Sequence, residues 1–373
     1  METEMSAPQA AILLSRQPLR PCRTTPWVRT LLDAIRHVRD RNLTLITSVG
    51  MPTYEMAISA AACADIEQRI CIPAADSNQF QQRKTETCRQ FRLDPELTDF
   101  VPVLPPDSRI KPKALMVVRD RAVIEQADIL IPVSVRPGGV MERLLDRYAS
   151  TKTLVSDYRI PYEPGDNRLK YEVAKYDLNP GLGELSENYL IHWTRAANGP
   201  WPDETRDDYY RSIMQSDHYP RDAFATLLHI LGTRRLLASA RHMPAGIATV
   251  SFSGLPPADV IPLMRWRARY AEMSFEPYGI GIRKDRALKS GIREVLYYDP
   301  TFGNPSSDAD RWRRQSVGTK TDWRQEAEYR TKQNVRLDEI DESELLVFCF
   351  YPRQAARIVM TAGLPAMSIK ARD

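Results

Sequence analysis

Two adjacent glycines, Gly138 and Gly139, follow an apolar run from Ile129 to Val135 and precede a segment carrying Glu142 and Arg143. A strand that breaks at glycines and restarts as a helix lets the backbone approach a ligand closely. The start of such a helix offers unpaired N–H groups to a phosphate. Arg119 and Arg121 stand shortly before the same strand, and a guanidinium grips phosphate through paired hydrogen bonds. The pattern points to a nucleotide site built from Arg119, Arg121, Gly138, Gly139 and Glu142. An earlier apolar run, Leu43 to Val49, ends at Gly50 and restarts at Pro52, which places Gly50 in the same crevice. A second set of reactive groups lies further on. In His192-Trp193-Thr194-Arg195, strand alternation puts His192 and Thr194 on one face. Glu326, Glu328 and Arg330 share a face if their segment is extended. Two carboxylates beside a guanidinium can hold a ribose hydroxyl and steady positive charge developing at its anomeric carbon.

The elements that must position these groups alternate. Helical spacing over Trp27 to Asp40 is followed by the Leu43 strand, a helix from Pro52, a strand at Ile70 to Pro73 and a polar helix at Phe80 to Phe91. A strand at Phe100 to Leu104, the arginine helix, the Ile129 strand and a short strand at Lys152 to Val155 complete the series. Strands alternating with helices predict an α/β domain: a Rossmann-like parallel sheet with helices on both faces. Its ligands belong at the carboxyl ends of strands, near a topological switch point. Residues 1–24 read as a disordered lead and 25–156 as the nucleotide-binding domain. Residues 157–187 read as a connector rich in Pro, Gly and charge, and 188–373 as a second domain. That second domain mixes strands and helices irregularly, which predicts α+β with a mostly antiparallel sheet. Within it, Ala258 to Ala271 reads as a helix with an arginine face.

Composition narrows the function. A chain of 373 residues suits two domains. The net charge of +4 is too mild to imply nucleic-acid binding by itself. No apolar run reaches about 18 residues, so no transmembrane helix is expected, and the N-terminus lacks the layout of a signal peptide. The five cysteines contain no CxxC, and the five histidines are scattered. Both facts argue for a reducing cytoplasm and against a structural metal. Runs such as "RWRAR" and "RWRR" read first as solvated faces.

Arg119, seven residues before Gln126-Ala127-Asp128, and then Pro137-Gly138-Gly139, resemble the SLOG superfamily. That group includes the LOG-type nucleotide phosphoribohydrolases and the DNA-processing protein DprA. The LOG pattern continues with a second glycine followed by threonine. This chain lacks that pair, and Glu142 arrives earlier than the family's catalytic glutamate. The resemblance therefore implies binding of a nucleotide or nucleic-acid end. Nucleotide N-glycosidase activity is an alternative that requires Glu142 to face the ligand at the turn.

The later blocks "HWTR", "VSFSGLPP", "FEPYGIGIRKD" and "KTDWRQEAEYR" are similar to AbiGi-like abortive-infection proteins of bacterial phage defence. More distantly they resemble DarT-type ADP-ribosyltransferases, which bind NAD on a His-x-Thr strand and carry a catalytic glutamate in a late Ala-Glu-aromatic segment. Carried over by position, the resemblance implies His192 and Thr194 on the NAD and Glu328 as the catalytic glutamate. Arg195, Arg234, Arg235 and Arg241 all stay open for the accompanying arginine. The combined expectation is a phage-defence or stress protein, in which a nucleotide-sensing domain is joined to an NAD-using effector acting on a protein or nucleic-acid acceptor. A non-catalytic sensor or scaffold is the alternative, and oligomeric state is left open.

Overall fold

The structure is a computed structural model and describes residues 7–104, 112–185, 188–241, 243, 246–299, 301, 308–317 and 322–373. It divides into two compact units. The first comprises Met1–Asn167 and Asn198–Pro220, the second Arg168–Ala197 and Arg221–Asp373.

In the first unit, β1 (Gln9–Leu14), α1 (Pro26–Asp40), β2 (Thr44–Ser48), α2 (Pro52–Ala62), β3 (Gln68–Pro73), α3 (Ser77–Phe91) and β4 (Thr98–Val103) come first. They are followed by α4 (Pro112–Gln126), β5 (Ile129–Ser134), α5 (Val140–Tyr148) and β6 (Thr153–Leu154). The sheet order is β4-β3-β2-β1-β5-β6, and every pairing is parallel. The reading of residues 1–24 as a disordered lead is corrected here: Gln9–Leu14 is the strand from which the sheet grows in both directions. Its run Gln-Ala-Ala-Ile-Leu-Leu has no polar alternation because both faces are covered, as in parallel sheets generally. Ala10, Ile12 and Leu14 face one core with Trp27, Val28 and Leu31 of α1. Ala11 and Leu13 face the other with Val123 and Ile124 of α4 and Leu144 of α5. Full burial of each such Leu or Ile stabilises by about 1.5–3 kcal/mol. The chain winds outward from β1 to β4, then crosses back through α4 to lay β5 on the other side of β1. The winding therefore reverses between β1 and β5.

A helix from the second half of the chain, α6 (Arg206–Gln215), completes this unit. A reciprocal cap between Thr205 and Asp208 starts it. Its buried Asp207 accepts from Ser59 Oγ at 3.0 Å and Arg211 Nε at 2.6 Å. Tyr210 donates to Glu55 Oε2 at 2.9 Å, and Arg206 also bonds Glu55. The structure thus differs from the linear division at 157–187: that segment is shared between the units, and residues 198–220 return to the first.

The second unit contains β7 (Tyr189–Trp193), α7 (Ala223–Thr233), β8 (Arg235–Leu236), β9 (Val250–Ser253), α8 (Pro257–Val260), β10 (Trp266–Arg267), β11 (Glu272–Met273) and β12 (Gly279–Arg283). Then come α9 (Lys284–Lys289), β13 (Arg293–Glu294), β14 (Leu296–Tyr298), β15 (Arg314–Ser316), β16 (Glu328–Thr331), β17 (Val335–Arg336), β18 (Leu345–Cys349), α10 (Pro352–Ala362) and β19 (Ala366–Ser368). Seven strands form one sheet, β13-β16-β9-β7-β12-β18-β19. Its pairings are antiparallel except β18 with β19. The expected helix over 258–271 is corrected: helix ends at Val260, a 3-10 turn follows over Ile261–Leu263, and β10 is extended. Pro262 interrupts the helical hydrogen bonding.

Candidate functional site

Where the winding of the first sheet reverses, the carboxyl ends of β1 and β5 lie side by side. Arg136 N donates to Ser15 Oγ at 2.8 Å and Ser15 N to Ser134 O at 2.9 Å, which pins the two strand ends together. Beyond them opens a hollow of about 670 Å³ whose lining includes Arg16, Arg136, Arg143, Gly138, Gly139 and Asp120. Three exposed guanidiniums against one carboxylate make it an anion-attracting crevice. Gly138 has φ +68°, and a Cβ at Gly139 would lie 2.8 Å from the Arg136 carbonyl oxygen. The turn therefore needs both glycines, for different reasons. Gly139 starts α5, whose first turn receives no side-chain cap.

Arg119 sits at the floor beside this crevice. It lines an adjoining hollow that shares Arg16, Met51, Asp120 and Val140 with the first. Its guanidinium is buried and committed to the protein: Nε and NH2 reach Asp120 Oδ1 at 3.0 and 2.7 Å, NH1 reaches Val49 O at 3.1 Å, and the Tyr54 ring lies 5.2 Å away. Burial raises the pKa of Asp120 against the opposing pull of Arg119. Gly50, at φ +84°, lies against Arg119 NH1. Arg121 points elsewhere, pairing with Glu125 on the exposed face of α4. Glu142 folds back onto the turn, where its Oε2 accepts from Gly138 N at 2.6 Å, while Arg143 NH1 donates to Gly138 O at 2.8 Å. Glu142 caps the turn and is not among the residues lining the hollow.

The second unit holds a separate cavity of about 430 Å³. One wall is β7, β9 and β16. In β16, Glu328 presents both oxygens to Arg330, whose Nε and NH2 donate at 2.7 Å each. Arg330 is itself buried and also donates to Arg314 O and Gln315 Oε1. Glu326 reaches the same cavity from the turn before β16. Ala327, between them, takes φ +43°, a strained conformation for a residue with a Cβ. That rotation puts two carboxylates of one short segment into one cavity. Burial and the nearby Glu328 push Glu326 up to about 7, although Arg267, Arg195 and Arg265 oppose the rise. His192 Nδ1 donates to Ser251 O at 2.8 Å, which leaves Nε2 as the acceptor nitrogen. Burial lowers the pKa of this imidazole, the Ser251 bond opposes that shift, and Arg195 adds to it. The rest of the lining is cationic and aromatic, with Arg195, Arg241, Arg267, Arg269, Tyr270 and Trp323.

The structure thus brings Glu326, Glu328, Arg330 and His192 together around one space. It does not bring Thr194 there: Thr194 is buried, and its hydroxyl donates to the Ala223 and Tyr278 carbonyls at 3.2 and 3.1 Å. Sequence reasoning missed Arg16, Arg136 and Arg143 in the crevice, and Arg267 and Arg269 in the cavity. Arg16 and Arg136 carried a usable signal, since each closely follows an apolar strand. Among the described residues no cluster of metal-binding side chains occurs, and no helix is long and apolar enough to cross a membrane.

No protein-family model and no curated protein matches the chain. Among solved structures, it is similar to DNA processing protein A from Helicobacter pylori, described for its single-stranded DNA binding mode. That match has 12% identity and a TM-score of 0.29, over 40% of this chain and 65% of that one. It is also similar to DprA from Streptococcus pneumoniae, with 14% identity and a TM-score of 0.25, over 40% of this chain and 58% of that one. The chain thus spans less than two thirds of either structure. Likeness at this level leaves activity to the chain's own geometry.

Proposed function

We propose that the protein is a two-site nucleotide-binding protein of bacterial phage defence or stress response. The first unit holds a nucleotide or nucleic-acid end in the switch-point crevice, as in a SLOG-like domain. The second uses NAD as an ADP-ribosyl donor. The observation that carries this reading is the second unit's cavity, whose lining joins Glu326 and Glu328 with arginines and aromatic rings. Carboxylates suit ribose hydroxyls, guanidiniums suit phosphates, and flat rings suit a base. At about 430 Å³ the space is within the range of small-molecule sites.

In this reading the bond between the anomeric carbon and the nicotinamide nitrogen breaks, and nicotinamide leaves with the bonding pair. The acceptor's nucleophilic atom bonds the same carbon, and its proton passes to Glu326. Glu328 steadies the positive charge that develops at the anomeric carbon. His192 offers Nε2 to the donor's nicotinamide side, while Thr194 holds the end of β7 in place through its two carbonyl bonds.

A purely structural Glu328–Arg330 pair would favour a sensor or scaffold without catalysis. The pair here borders a cavity, which favours catalysis. The test is to incubate the pure chain with NAD and candidate protein and nucleic-acid acceptors, with and without nucleotides. Nicotinamide release or transfer is expected, and Glu328→Gln should abolish it and remove protection in phage-challenged cells. Absence of release from the wild type, together with wild-type behaviour of Glu328→Gln, would return the protein to the sensor reading.

A further inference from the structure

Several charged groups that line the second unit's cavity are engaged by the protein itself. Glu328 is paired with Arg330, and Arg195 and Arg241 both reach Glu272. Arg267 and Glu326 differ. Both line the cavity and both are half-buried. Among the described residues, the Arg267 guanidinium and the Glu326 carboxyl have no hydrogen-bond or ion-pair partner, and they do not pair with each other. Arg267 is held by rings instead: its guanidinium carbon lies 4.9 Å from the centre of the Tyr270 ring and 5.0 Å from that of Trp323. A ring supplies no lone-pair acceptor, so the five N–H donors are left for another group. The charge of Arg267 is felt at Glu326, where it opposes the rise that burial and Glu328 impose. A cation and an acid thus share one space without closing on each other.

We infer that Arg267 and Glu326 together select a sugar phosphate, the guanidinium taking the phosphate and the carboxyl a hydroxyl of the same sugar. The inference deepens the reading of the cavity as a nucleotide site and rests on it. A guanidinium is always charged and only donates, so its partner is an anionic acceptor. Glu326 titrates near neutrality, so its partner must suit it with and without the proton. A hydroxyl both donates and accepts, and meets that requirement. An ammonium group only donates, and a second anion only accepts. A ribose that carries a phosphate ester offers both functions on one small frame. In the transfer reaction, one oxygen of Glu326 on the ribose leaves the other for the acceptor's proton.

Fluorine NMR of the full chain labelled with fluorotryptophan tests this. The Trp323 resonance, assigned by its loss in Trp323→Phe, reports on the cavity, and no tryptophan is among the described residues lining the first unit's crevice. ADP-ribose, ribose 5-phosphate and ribose should each shift it, ribose 5-phosphate binding about ten-fold or more tighter than ribose. Arg267→Gln should weaken ribose 5-phosphate about ten- to a hundred-fold, the worth of a hydrogen bond between charged groups, and leave ribose unchanged. Arg267→Lys, which keeps the charge and loses the planar fork, should recover part of the loss. Glu326→Leu should weaken both sugars about three- to ten-fold, the worth of a neutral hydrogen bond. Ribose 5-phosphate that binds no tighter than ribose, or that keeps its affinity in Arg267→Gln, would overturn the inference, as would wild-type sugar affinity in Glu326→Leu. Should Glu326→Leu fail to fold, the two Arg267 variants decide alone. A shift with ADP-ribose but none of these losses overturns the pairing and keeps the cavity as a nucleotide site. No shift with any of the three ends the nucleotide reading, and the inference with it.

Discussion

Glu328 and Arg330, two positions apart on one strand, meet through two parallel hydrogen bonds of 2.7 Å with the arginine side chain 3% exposed. Removing one partner strands the other's charge out of water. Glu328→Gln and Arg330→Met should therefore each lower stability by about 3–5 kcal/mol. The double variant should lose less than the sum, because it leaves no lone charge. Urea unfolding of the four proteins measures this, and additive losses would show that the two side chains act independently.

Glu326 gives the protein a pH dependence of definite sign. A carboxyl pushed up to about 7 holds its proton more tightly folded than unfolded. Its contribution to stability is full below the ordinary carboxyl range and falls as pH rises toward 7. Glu326→Gln should flatten that fall and gain up to roughly 3 kcal/mol at pH 8 relative to wild type. Unfolding across pH 4 to 8 reads the slope. Nicotinamide release should rise through the same range, where the carboxylate becomes able to take a proton.

The two turn glycines should fail differently. Gly138→Ala imposes left-handed backbone strain of about 1–2 kcal/mol but meets no atom within 4 Å. Gly139→Ala drives a methyl onto the Arg136 carbonyl, so the turn itself must move. Nucleotide binding by the crevice should persist, weakened, in the first variant and be lost in the second. Equal affinities would show that the turn does not shape the ligand site.

Docking of α6 hangs on Asp207. Asp207→Asn keeps the size but weakens the bonds to Arg211 and Ser59, and should cost about 2 kcal/mol of first-unit stability. Hydrogen exchange should show faster exchange in α2 and α6 together. Protection unchanged in α2 would mean that the helix is dispensable.

Much of the first unit was readable because its strands are apolar runs ending at glycines. Leu43 to Gly50 and Ile129 to Gly139 gave both strands and both turns. The central strand escaped because Gln9–Leu14 is short, doubly buried and preceded by a polar stretch, so neither alternation nor length marked it. The cavity was half legible. Glu326, Glu328, Arg330 and His192 have strand spacing or strand-end positions that can be read. Arg267 and Arg269 were misassigned to a helix because their apolar neighbours mimic its period, whereas Pro262 ends it. Glu272 and Arg241 lie on pieces too short or irregular for any period, and only tertiary structure joins them.

The return of residues 198–220 to the first unit bears on biosynthesis. A ribosome that has released the parallel sheet has not yet made Tyr210 and Asp207, which close over Glu55 and Ser59. The nascent sheet must wait, with that flank uncovered, while β7 of the other unit emerges. Cutting the gene once, anywhere between the sixth strand and α6, cannot yield two self-sufficient halves. A recombination event that moves the nucleotide crevice to a new partner has to carry both pieces of it.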